Sequence, residues 1–148
     1  MQNFIIFLLI SLFQIAQAQN LSIKNQDVSH EQLKKQNKQI AQLVAKELSK
    51  DLPQKIDKYT SFTNIEAKDT NLIYTFEINI APKSEEEVKK TDRSRMEKSI
   101  TEGICHSSKR FMDAQITVSY KYISSLTKTK LFQFDVSQKD CYELYGVQ

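Results

Sequence analysis

The 148-residue chain is poor in the residues that most constrain chemistry, with 2 Gly, 2 Pro, 2 Cys, 2 His and no Trp. Two glycines exclude a Gly-rich phosphate loop, whose backbone needs several residues without Cβ. Two cysteines exclude a dense disulfide scaffold and a four-thiolate zinc site. Charge of one sign is scarce as well: 21 Lys+Arg against 18 Asp+Glu leave a formal net charge of +3. That is too little to imply nucleic acid. What is present is globular. The hydrophobic fraction is 40% and the charged fraction 26%, values that argue against a wholly disordered chain. The length argues for one domain.

Residues Phe4–Phe13 form an apolar run of the length found in signal-peptide cores, and Ala16-Gln17-Ala18 supplies a small-x-small cleavage site. The run is too short for a membrane span and is interrupted by Gln14 and Gln17. The sequence therefore predicts a cleaved signal peptide over 1–18 and a protein that is periplasmic or secreted, with no stable span after cleavage. The Met1-Gln2-Asn3 start departs from the usual pattern by lacking Lys or Arg. A polar leader follows over 19–28, then a single domain over 29–141 and a frayed tail over 142–148. Export changes the reading of Cys105 and Cys141: in an oxidising compartment an even pair is usually bridged. A redox or metal-binding pair is the alternative, but such cysteines usually sit two residues apart.

Periodicity fills in the domain. Leu33, Ile40, Leu43, Val44 and Leu48 recur at helical spacing between a Ser29 cap and Pro53. Residues 59–67 read as a strand. Leu72 to Ile80 alternate strictly, with Leu72, Tyr74, Phe76, Ile78 and Ile80 on one side. Ser84 with Glu87 makes a capping box that opens a second helix, expected to run to Ser107 or Ser108. Residues 115–123 and 131–137 alternate again. The expected fold is α+β in the order α-β-β-α-β-β. It is a two-layer sandwich with a four-stranded, mainly antiparallel sheet, two helices on one face and one disulfide.

From Asp51 to Cys141 the chain resembles a group of small exported bacterial α+β proteins of unassigned function. The matching pieces are Leu52-Pro53, Ile56-Asp57 and Thr60, then Leu72-Ile73-Tyr74-Thr75-Phe76, a helix ending in Ile104-Cys105, the strand Ile116–Tyr122, and Asp140-Cys141. The chain departs from the group at Ser124–Lys128, where the group tends to carry Gly or Asp-Gly. The resemblance implies export, the Cys105–Cys141 bridge and the fold. It implies no catalytic residue.

No catalytic constellation stands out. His30 opens a solvated helix, and His106 follows Cys105 on a helix, where adjacent side chains diverge by ~100°. Glu85, Glu86 and Glu87 are helix-start acids, and Asp135, Asp140 and Glu143 have no His nearby in sequence, so no metal or cofactor is expected. Arg93, Arg95 and Arg110 are the only arginines, and arginine makes planar contacts that lysine cannot, so they are the candidate partner-binding residues. Tyr120 and Tyr122 read as core. The expected function is non-enzymatic: an exported interaction domain that binds another protein of the cell envelope or beyond, through its polar sheet face or an edge strand. The alternative is an inhibitor or immunity protein against an exported toxin or hydrolase.

Overall fold

The structure is a computed structural model and describes residues 29–146. The expected signal peptide over 1–18, the leader over 19–28 and the last two residues of the tail lie outside the described residues.

Helix α1 spans His30–Leu48. Its start is a reciprocal cap: the Gln32 N–H donates to Ser29 Oγ at 3.2 Å, and the Ser29 N–H donates to Gln32 Oε1 at 3.1 Å. The buried face differs from the leucine stripe expected from spacing. Ala41 and Ala45 are buried, whereas Leu33, Leu43 and Leu48 are 45%, 59% and 40% exposed. Two small residues on one face let the helix backbone come close to the sheet, and that closeness leaves the longer leucines at the flanks.

A short 3₁₀ turn, Ser49–Asp51, leads to β1, Gln54–Lys55. Strand β2, Thr60–Lys68, is launched by Asp57, whose carboxylate accepts from the Tyr59 and Thr60 N–H groups at 2.7 and 2.8 Å. A tight turn with Asp69 at φ 53° connects it to β3, Asn71–Ile78. Helix α2, Glu85–Lys90, carries the expected Ser84–Glu87 capping box. It stops at Thr91, whose ψ of 135° is extended. Asp92 then accepts from the Ser94 N–H at 2.9 Å and starts α3, Ser94–Ser107. Helix α4 is Lys109–Asp113, β4 is Thr117–Ser124, β5 is Lys130–Val136, and α5 is Gln138–Tyr145.

The architecture is α+β, but the sheet has five strands in the order β1-β2-β3-β4-β5 and is mixed. Three neighbouring pairs are antiparallel and β3–β4 is parallel. Four corrections to the expected layout follow. The added strand is the two-residue β1 at the edge, too short to show alternation. The parallel pair arises because the connection from β3 to β4 is helical and returns the chain to its starting end. The expected second helix is two, because Asp92 recaps the chain, and a further short helix, α4, follows its expected end at Ser108. Cys141 lies inside α5, so the residues taken as a frayed tail are helical through Tyr145, and Leu144 packs against the core.

The core has two lobes on one face of the sheet. One joins Ala41 and Ala45 of α1 to Ile65, Leu72 and Ile116. The other joins Ile104 and Cys105 of α3, Met112 of α4 and Cys141 of α5 to Val118 and Val136. Tyr74 and Phe111 pack against both lobes. Cys105 and Cys141 are bonded, with Sγ–Sγ 1.97 Å and Cα–Cα 5.4 Å, tying α3 to α5.

Candidate functional site

The register of the sheet decides where its aromatic residues gather. Tyr74 and Phe76 of β3 lie opposite Tyr120 and Tyr122 of β4, and these lie opposite Phe134 and Phe132 of β5. Phe62 of β2 lies opposite Phe76. With period-two alternation all seven rings project from the helix-bearing face. They form a continuous ladder across four strands. Centroids are 5.2 Å apart for Phe62–Phe76, 5.2 Å for Phe76–Tyr122 and 4.8 Å for Tyr122–Phe132.

The helices do not cover this ladder evenly. Helix α1 contacts β2 and β3, while α3 contacts β5. At the Leu72–Val118 end, Phe111 of α4 fills the space between them. At the opposite end the gap is open. There Ile78, Tyr122 and Phe132 form the floor of a groove of about 590 Å³. Val88 of α2 and Met96 of α3 line one side, with Tyr59 and Ile80 from the strand ends also contributing. Phe62, Phe76 and Phe132 are only half-buried. An apolar concavity of this size with few polar groups is the usual form of a binding site.

The polar groups of the groove are distinctive. Its only charged lining residues are Lys83 and Arg93. The Arg93 guanidinium stacks over Phe132, 4.6 Å from the ring centroid. One of its terminal nitrogens donates to the carbonyls of Val88, Lys89 and Thr91 at 2.8, 3.1 and 3.1 Å. The cation thereby closes the C-terminal end of α2, where negative carbonyl charge favours it. Burial pushes the Tyr74 and Tyr122 hydroxyls up to about 12 and raises that of Tyr120. These phenols stay neutral near physiological pH. They offer surface rather than proton transfer.

The other sequence-derived site residues are scattered. Arg95 on α3 and Arg110 on α4 are exposed and lie outside the groove lining. His30 lines a separate cavity of about 520 Å³ with Leu33, Asn37 and Asp113. Cys105 is bonded to Cys141 and so holds no thiol for His106 to activate. Asp140 accepts from both the Ser137 N–H and hydroxyl at 2.7 and 2.6 Å, as a helix cap. Glu143 pairs with Lys139 at 3.5 Å. Among the described residues no three His, Cys, Asp or Glu side chains converge on one point.

Much of the polar sheet face, a candidate surface from the sequence, is internally paired, although the buried Thr75 hydroxyl on it has no hydrogen-bond partner among the described residues. Ser119 is buried between Asn71 and Asp135, donating to Asp135 at 2.5 Å. Lys121 pairs with Glu66 at 3.4 Å, and Lys128 with Glu77 at 2.6 Å. Sequence reasoning missed the groove because it assigned the aromatic face wholly to the core. The signal was the surplus itself: seven rings on one face, and two long helices with narrow stripes to cover them.

No family model matches the chain. No curated protein sequence matches it either. Solved structures do share its fold. A secreted-class protein of Pseudomonas aeruginosa matches with TM-score 0.66 and 13% identity over 74% of this chain and 96% of that one. The pilotin EpsS of the Vibrio vulnificus type 2 secretion system matches with TM-score 0.60 and 13% identity, over 75% and 96%. The type II secretion pilotin AspS of Vibrio cholerae matches with TM-score 0.54 and 14% identity, over 75% and 97%. Each match spans nearly the whole of the other protein, so the likeness is one of complete fold. Among the described residues no helix is long and apolar enough to cross a membrane.

Proposed function

We propose that the protein is an exported, non-enzymatic interaction module that receives a segment of a cell-envelope protein in the aromatic groove. The open groove carries this reading: a folded core ordinarily closes over its rings, and here Phe132, Phe76 and Phe62 stay partly uncovered. Support for export comes from the apolar run and cleavage site at the N-terminus, and from two cysteines that are bonded. Support for an interaction role comes from the shared fold with two secretion-system pilotins and a secreted-class protein. Neutral phenols and capped carboxylates favour contact over chemistry.

Site-directed photocrosslinking in the exporting cell tests this. A photoreactive residue at Met96 faces the groove, and one at Ile73 lies on the opposite sheet face. Crosslinks to an envelope protein from Met96 and none from Ile73 are expected. Silence at Met96, or the same adducts from both positions, overturns the reading.

A further inference from the structure

We infer that the groove selects an apolar peptide segment carrying acidic side chains, which meet Arg93 and Lys83 at its rim; this rests on the interaction reading above. The charge balance of the lining is the first reason. Two lining residues are cations and none is an anion. Neither cation forms a salt bridge among the described residues.

Of the neighbouring acids three are already engaged, while Glu97, one turn along α3, lines the adjoining cavity with Arg93 without forming a salt bridge to it. Glu85 accepts from the hydroxyls of Thr127 and Thr129. Glu87 accepts from the Ser84 N–H at 2.7 Å, and Asp92 from the Ser94 N–H at 2.9 Å. Glu87 and Asp92 feel the charge of Lys83 and Arg93, but only after their capping bonds. They soften the positive field without closing it.

Arg93 is also preorganised. Its hydrogen bonds to carbonyls all run from one terminal nitrogen, and the ring beneath fixes its plane. The rest of the fork has no acceptor among the described residues. A guanidinium held this way loses little freedom when it takes a carboxylate. Lys83 belongs to the turn before α2, whereas Arg93 belongs to the break between α2 and α3. Two cations on separate elements suit two acids spaced along a segment better than one chain-terminal carboxylate. The groove is an open concavity rather than an enclosed cavity, which suits a peptide. An anionic lipid chain would need to be mostly enclosed.

The test uses the intact processed protein and a displayed library of random peptides. One selected peptide is then made with a Trp. The chain has none, so peptide fluorescence reads binding directly. Selected peptides should be apolar and enriched in Asp and Glu. Replacing their acids with Gln should weaken binding to the wild type roughly tenfold. Lys83→Gln plus Arg93→Gln should erase that discrimination, so that the acidic and the Gln peptides bind the double variant alike. Lys83→Gln alone, at an exposed site, should reduce it and guards against a folding defect in the double variant. Enrichment without acids, or equal affinity for both peptides, overturns the inference and leaves the Met96 crosslinking result standing. Displacement of the peptide by phosphatidylglycerol vesicles or a fatty acid overturns it as well.

Discussion

The Arg93 guanidinium lies 4.6 Å above the Phe132 ring while donating to the Val88 carbonyl at 2.8 Å. One side chain therefore holds the end of α2, the start of α3 and the edge strand β5 together. Arg93→Ala should cost about 1–2 kcal/mol, from a lost charged hydrogen bond and a lost cation–π contact. Arg93→Lys should recover little of it, since an ammonium cannot stack and fork at once. Urea unfolding of the three proteins checks this, and equal midpoints for Lys and Arg would refute it.

The Cys105–Cys141 bond closes a loop whose ends are 36 residues apart. Chain entropy alone gives about 4 kcal/mol for such a loop. Double replacement with Ala, or reduction, should lower the urea midpoint by a comparable margin. It should also free α5 first, because the bond ties that helix to α3. Amide exchange of residues 138–145 reads this order.

Leu72 and Ala41 are both 0% exposed and share one core lobe. Leu72→Ala should destabilise by about 3–5 kcal/mol, through lost burial and a cavity. Ala41→Leu should destabilise too, by about 1–3 kcal/mol, because it forces α1 off the sheet. A leucine at position 41 that left stability unchanged would contradict the close approach of the helix.

Acid should weaken the domain. Partial burial pushes the Asp140 carboxyl up, but the Ser137 hydroxyl and amide that donate to it win and hold it below its ordinary 3.8. A carboxylate with a depressed folded pKa contributes fully above its unfolded value and loses that contribution as pH falls through the folded one. Asp140→Asn should cost under about 1 kcal/mol at neutral pH. The gap to wild type should close as pH falls below about 4. Thermal melts of both proteins across that range decide it, and a gap independent of pH would exclude the cap as its source.

Local features were legible in the residues because their physics is local. The capping boxes at Ser29–Gln32 and Ser84–Glu87 need only four consecutive residues. The strand from Leu72 declares itself by alternation, and the turn before it by polar residues. The recapping at Asp92 was also local, yet it was hidden inside an apolar pattern that continues through Val88, Met96 and Ile100 at helical spacing. Strand β1 could not be seen, since two residues carry no period.

The sequence alone determined the first helix, the four longer strands and which sheet face is apolar, because backbone propensity and side-chain alternation act over a few residues. Only the tertiary structure decided that β3 and β4 run parallel, that Ala41 rather than Leu43 meets the sheet, and that Arg93 alone of the three arginines lines the groove. It also decided that Phe111 closes one end of the helix layer while Phe132 stays partly uncovered at the other. Each of these depends on how far apart two helices settle on a shared surface, a distance set by contacts between residues remote in the chain.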